Sequence, residues 1–181
     1  AGDALTTGSF NVAIGRSSLS SDTLGSTSVA VGHAALATQN QTTAVNTYNV
    51  AVGYTAGNDI TTGTSNVLIG GLTGDALTSG LYNVAVGTNA LGADTQGKYS
   101  TAIGDNALSA QNQTTAVNAY NTAVGTTAGA SVTTGINNTL IGSGSGDALT
   151  VGSYNTALGG FALTADDVGS KTTAVGWGSL Q

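Results

Sequence analysis

The chain has 181 residues, of which 40% are hydrophobic and only 7% charged, with a net charge of −6 and no Cys, Met or Pro. So apolar and weakly charged a composition argues against intrinsic disorder. The acidic balance argues against nucleic-acid or anionic-membrane partners, and the absence of Cys removes disulfides and thiolate metal sites.

In chain order the first apolar segment is Asn11-Val12-Ala13-Ile14, closed by Gly15. The same pattern occurs ten times in all, closed by Gly15, Gly32, Gly53, Gly70, Gly87, Gly104, Gly125, Gly142, Gly159 and Gly176. The closing glycines stand 17 residues apart, except for two spacings of 21, and four units make a longer period of 72. That period is visible where Asp3-Ala4-Leu5-Thr6 returns at Asp75 and again at Asp147. Each segment has β-branched residues at alternate positions, a period of two, and ends where a glycine lets the chain turn. Helix is a poor fit to 28 glycines and no Glu. A fixed period near 20 residues without helix predicts an all-β parallel β-solenoid of about ten coils. It forms a single domain over 1–181, with superrepeats 3–74 and 75–146 and a partial one, 147–181. A second turn column, Gly8, Gly25, Gly63, Gly80, Gly97, Gly135, Gly152 and Gly169, with Asn46 and Asn118 in the long units, predicts a turn with positive φ in every coil. The long units share Gln39-Asn40-Gln41-Thr42-Thr43 and Gln111-Asn112-Gln113-Thr114-Thr115, which predict two protruding polar bulges four coils apart.

In a stack of coils, equivalent positions form columns. Phe10, Tyr48, Tyr82, Tyr99, Tyr120 and Tyr154 share one column and predict an aromatic ladder along a flank. Beside it, Asn11, Ser28, Asn49, Asn66, Asn83, Ser100, Asn121, Asn138, Asn155 and Thr172 predict side chains bonded to turn backbone and to one another. The next column changes from Val12, Val29, Val50, Val67 and Val84 to Thr101, Thr122, Thr139, Thr156 and Thr173, and its direction, inward or outward, is open. The alternate column is Ala except for Leu68 and Leu140, whose coils carry Gly57 and Gly129 where others carry Leu19 or Leu91. This exchange of large for small places both columns in one space, either the coil interior or a contact with another chain.

The segments Ser28-Val29-Ala30-Val31-Gly32 and Asn11-Val12-Ala13-Ile14-Gly15 resemble the repeats of YadA-like trimeric autotransporter adhesin heads. Thr61-Thr62-Gly63-Thr64-Ser65-Asn66-Val67-Leu68-Ile69-Gly70 and Tyr120-Asn121-Thr122-Ala123-Val124-Gly125 are similar to repeats of phage tail-fibre proteins that end in an endosialidase-type chaperone domain. The resemblance covers all ten coils and implies a fibre or adhesive head, often with three chains abreast. The 21-residue coils depart from the shorter adhesin coils, and these 181 residues include neither that family's membrane anchor nor the chaperone domain.

The ends carry no visible capping coil: Ala1-Gly2-Asp3 matches Thr73-Gly74-Asp75, and Trp177-Gly178-Ser179-Leu180 begins like a third long coil. Ala1, Gly2, Asp3, Trp177 and Leu180, with Leu68 and Leu140, are therefore candidate self-association residues, and Trp177 is either a junction contact or a seal over the core. One His and no Cys or Glu leave no catalytic constellation. Asp166-Asp167 and the column Asp3, Asp75 and Asp147 are candidate Ca²⁺ ligands, with solvated turn aspartates as the simpler explanation. No segment is long and apolar enough for a membrane helix. The expected function is a non-catalytic fibre component, extracellular, on a cell surface or a virion. It associates with itself, as a homotrimer or a head-to-tail polymer. Surface glycans or a host receptor are further candidate partners for the tyrosine ladder and the Gln39–Gln41 and Gln111–Gln113 bulges. The alternative is an ice-binding solenoid that uses Thr columns.

Overall fold

The computed structural model describes residues 1–181 and contains ten strands and no helix. The strands are β1 (Val12–Ile14), β2 (Val29–Val31), β3 (Val50–Val52), β4 (Val67–Ile69), β5 (Val84–Val86), β6 (Thr101–Ile103), β7 (Thr122–Val124), β8 (Thr139–Ile141), β9 (Thr156–Leu158) and β10 (Thr173–Val175). They form one parallel sheet in sequence order, and each pairs in register with its repeat equivalent, as Val12 with Val29 and Val29 with Val50. This is the β-solenoid that the glycine period predicts. At the usual strand spacing of about 4.8 Å the ten coils make a rod roughly 50 Å long.

Three residues is short for a strand, and the flanking backbone explains it. Two residues before each strand stands a residue in the left-handed region, such as Phe10, Tyr48 or Tyr99, and after it the closing glycine has φ between 114° and 144°. Both ends therefore turn away from the sheet. The coil is nevertheless hydrogen-bonded around most of its circumference. Of 103 backbone hydrogen bonds, 18 lie within the strands, so the stack is held chiefly by turn on turn. Gly32 N–H donates to Ile14 C=O at 2.7 Å and Leu36 N–H to Ala56 C=O at 3.1 Å.

The expected turn with positive φ at Gly8, Gly25 and their equivalents is not there. Left-handed residues occur instead two positions later, at Phe10, Thr27 and Tyr48, and in the turn after each closing glycine, as at Ser17 and Leu19. Space, not φ, selects glycine at the second turn column. A Cβ on Gly63 would lie 2.5 Å from the Gly80 carbonyl oxygen of the next coil. That oxygen also accepts a hydrogen bond from Asn66 Nδ2 at 2.9 Å. The amide column behaves as expected: Asn66 N–H donates to Asn49 Oδ1, Asn83 N–H to Asn66 Oδ1, and each Asn also donates to a glycine carbonyl in the next coil.

The interior is narrow and filled mainly by small residues. Its middle strand column is Ala30, Ala51, Leu68, Ala85, Ala102, Ala123, Leu140, Ala157 and Ala174, all buried. Where that column holds leucine, the neighbouring turns hold glycine. A Cβ on Gly57 or Gly74 would meet Leu68 Cδ at 2.8 Å, and one on Gly129 would meet Leu140 Cδ1 at 2.6 Å. The large-for-small exchange is therefore internal packing. Leu68 and Leu140 lie fully buried inside the coils, so they are not self-association residues. A further interior column runs Leu5, Asp22, Gln39, Ile60, Leu77, Asp94, Gln111, Val132, Leu149 and Asp166. Its members from Asp22 to Leu149 are all fully buried, including the two aspartates and two glutamines.

Candidate functional site

Because the middle residue of each strand points inward, its two neighbours point outward, and this settles the direction of the Val-to-Thr column. Val12 to Val84 and Thr101 to Thr173 are half-buried or exposed, as are Ile14, Val31, Val52, Ile69, Val86, Ile103, Val124, Ile141, Leu158 and Val175 beside them. The result is a continuous face, two side chains wide and ten strands tall, without a charged residue in either column. In its first half both columns are apolar; from β6 onward a threonine column runs beside an aliphatic one. An isolated protein seldom leaves so continuous an apolar stripe in water.

The aromatic column borders this face. Its rings are well exposed, from 86% for Phe10 to 40% for Tyr99. Only three of them are continuous: Tyr82 stacks on Tyr99 at 5.1 Å and Tyr99 on Tyr120 at 5.2 Å, nearly parallel in both pairs. Tyr48 and Tyr154 stand apart, because Ser65 and Asn137 occupy the neighbouring coils. The side chains of Asn46 and Asn118 donate to Tyr48 Oη and Tyr120 Oη, which ties the long coils to the ladder. A second aromatic run, not anticipated from the sequence, lies in the turn after the closing glycine, where His33 stacks on Tyr54 at 5.3 Å. Trp177 belongs to that column. It is 78% exposed and meets Phe161 edge-on at 6.3 Å, so it does not seal the core.

The long coils correct the expected bulges. Asn40 is exposed and Asn112 partly so, but Gln39, Gln41, Gln111 and Gln113 are buried. The residues that protrude are Thr42 to Asn46 and Thr114 to Ala116 with Asn118. Gln39 Nε2 donates to Asp22 Oδ2 at 2.6 Å and to Ser28 Oγ at 3.0 Å, while its Oε1 accepts from Asn49 Nδ2 at 2.8 Å. Gln111 repeats all three bonds with Asp94, Ser100 and Asn121. Burial pushes the Asp94 carboxyl above its ordinary value, against the pull of Gln111 and the backbone N–H groups of Gln113, Gly97 and Gln96. The sequence hid this network because amide-rich segments ordinarily mark solvated loops, and the pairing becomes visible only when Asp22 and Gln39 are stacked one coil apart.

The remaining candidates stay separate. Asp3, Asp75 and Asp147 are four coils apart, about 19 Å at the strand spacing, and do not converge on one ion. The Asp75 carboxyl is also raised, first by burial and further by Asp59. No three His or Asp side chains come together anywhere in the chain. Ala1 and Asp3 are exposed and close, with the terminal amine 3.8 Å from Asp3 Oδ1, and Leu180 is half exposed on the last turn. No helix is long and apolar enough to cross a membrane.

No protein-family model, curated protein or solved structure matches the chain.

Proposed function

We propose that this chain is a non-catalytic structural and adhesive fibre component whose copies associate side by side through the outward sheet face. The observation that carries the reading is the uncharged stripe of Val, Ile, Leu and Thr side chains along all ten strands. Such a stripe fits a second copy of itself, because both have the same axial repeat and the β-branched ridges of one enter the spaces of the other at every coil. Burying it against like surface removes apolar area from water at about 25 cal/mol per Å² and leaves no unpaired charge. Three chains abreast is the arrangement that the adhesin-like and tail-fibre-like repeats imply, and an extracellular, cell-surface or virion setting goes with it. The Tyr82–Tyr99–Tyr120 stack stays exposed beside the face as a platform for a sugar ring or a host receptor.

Sedimentation tests the association. Wild type should be oligomeric at micromolar concentration, and Val50→Lys with Val84→Lys should make it monomeric with little change in melting, since both side chains point away from the core. A strictly monomeric wild type at high concentration overturns the reading.

One observation favours a second reading. The outward column Thr101, Thr122, Thr139, Thr156 and Thr173 is a regular hydroxyl row at strand spacing, which suits an ice-binding surface. A second Thr column, Thr6, Thr23, Thr61, Thr78, Thr95, Thr133 and Thr150, suits it less, because Thr6, Thr61, Thr78, Thr133 and Thr150 donate their hydroxyls to carbonyls of the next coil. Absence of thermal hysteresis at millimolar protein would end this alternative.

A further inference from the structure

The aromatic ladder is broken twice by a gap of one coil. Tyr48 and Tyr82 flank Ser65, and 72 residues later Tyr120 and Tyr154 flank Asn137. The middle of the column shows what such a gap holds. There Tyr99 fills the space between Tyr82 and Tyr120, with centroids 5.1 and 5.2 Å away and interplanar angles of 4° and 16°. Rings two coils apart are thus near-parallel walls separated by about 10 Å, twice the strand spacing, with room for one six-membered ring between them. The walls of the gaps keep this orientation. Tyr48 is the repeat equivalent of Tyr120 and is held by the same asparagine bond, from Asn46 at 3.1 Å as from Asn118 at 3.2 Å, and Tyr154 is the equivalent of Tyr82. Exposure follows the number of covered faces. Tyr99, covered on both, is 40% exposed; Tyr82 and Tyr120, covered on one, are 50% and 49%; Tyr48 and Tyr154, covered on neither, are 58% and 55%. Between the walls, Ser65 and Asn137 take the same left-handed backbone as the tyrosines, with φ of 61° and 58°. Their N–H groups donate to Thr47 and Ala119 C=O, and their short side chains leave the gap open.

We propose that the two gaps are binding sites for a neutral pyranose, which enters between the tyrosine rings as the missing rung and meets the Ser65 hydroxyl or the Asn137 amide at its rim. The proposal rests on the adhesive half of the proposed function and locates the sugar at the breaks of the ladder, because inside the Tyr82–Tyr99–Tyr120 stack the rings cover one another's faces. The width of the gap selects the ligand. A free flat ring in contact with both walls needs them about 7–8 Å apart, at about 3.5–4.0 Å for each carbon contact. A pyranose chair, with C–H groups projecting from both faces, is thicker and fills the wider space. Equatorial hydroxyls leave both faces as C–H and send the polar groups outward, so a glucose-type ring fits better than one with axial hydroxyls. The column from Tyr48 to Tyr154 carries no charge, which suits a neutral sugar. A third gap, at Thr27 between Phe10 and Tyr48, offers less: Phe10 has no hydroxyl, and that of Thr27 is bonded to the Ser26 carbonyl.

The test is a titration of the full chain with cellotetraose, followed through the tyrosine ring signals in NMR. Those of Tyr48, Tyr82, Tyr120 and Tyr154 should shift, with half-saturation on the order of 1 mM, while those of Tyr99 and Tyr54 stay in place. Filling both gaps, by Ser65→Tyr with Asn137→Tyr, should abolish the shifts and leave the melting temperature equal or higher, since it completes the ladder. Tyr99→Ser opens a further gap of the same kind and should increase the sugar bound at saturation in equilibrium dialysis. Absence of shifts at tenfold the expected concentration, shifts that persist in the filled variant, or tighter binding of the flat probe indole would overturn the proposal. Sedimentation separates it from the association: side-by-side oligomers that do not bind the sugar remove this site and leave the association standing, and monomers that bind it do the reverse.

Discussion

Replacing Gln111 with Leu is the sharpest probe of the polar interior. Gln111 is fully buried, and its amide gives Asp94 Oδ2 a bond of 2.5 Å. Leucine of similar volume removes that donor and leaves a carboxylate with no exposure, held only by the backbone N–H groups of Gly97, Gln113 and Gln96. Removing the neutral donor of a hydrogen bond to a buried carboxylate costs about 2–3 kcal/mol. For a chain of this size that is a drop in melting temperature of about 5–10 °C at pH 7. Asn121 Nδ2 loses an acceptor too, but keeps Gly135 C=O at 2.7 Å, so the carboxylate carries most of the effect.

The pH dependence identifies the cause. The Asp94 carboxyl is already raised above 3.8 in the folded chain, so folding takes up a proton between the unfolded and folded values. The contribution of this group to stability therefore falls as pH rises through that window and stays low above it. Removing Gln111 takes away a group that holds the value down, so the window widens and the penalty at pH 7 grows. Scanning calorimetry of wild type and Gln111→Leu at pH 7 and pH 4 should show a large deficit at pH 7 that mostly closes at pH 4. An equal deficit at both pH values would refute the electrostatic reasoning and leave only a packing defect. Asp94→Leu combined with Gln111→Leu imitates the apolar Ile60–Leu77 step of the same column and should melt near wild type.

Two other substitutions test packing. Ala85→Leu repeats the Leu68 arrangement in a coil followed by Leu91 instead of glycine, so overpacking should cost about 1–3 kcal/mol in chemical denaturation, and Leu91→Gly in the same chain should recover part of it. Gly63→Ala should destabilise by about 2 kcal/mol, because its Cβ meets the Gly80 carbonyl at 2.5 Å, whereas Gly71→Ala, whose Cβ meets nothing within 4 Å, should be neutral or slightly stabilising in the same melt.

Much of the architecture is legible in the residues alone. Closing glycines at a near-constant spacing specify one coil each, the alternation around Ala13, Ala30 and Ala51 specifies a strand, and the exchange of Leu68 for Gly57 shows that two columns share a space. The Asn column likewise needs partners that only a stack of equal coils provides. These features depend on periodicity, and a periodic chain whose units pair in register repeats each local contact at every coil.

What the periodicity leaves undecided is which side of the strand is inside. Alternation separates two sides of a strand without naming the buried one, and hydropathy misleads here, because valine and isoleucine face outward while alanine faces inward. The reason is the width of the coil. Turns on the far side carry Leu19, Leu36 or Leu91 into the same narrow interior, so the strand has room there only for a small residue or, opposite glycine, for a leucine. The same stacking takes Gln39 and Gln111 from apparent surface bulges into the core, where aspartates one coil away meet them, and makes the glycine of the second turn a matter of contact between coils instead of φ. Local sequence determined the repeat and its strands; the distance between neighbouring coils decided what faces in, what faces out and which polar groups find each other.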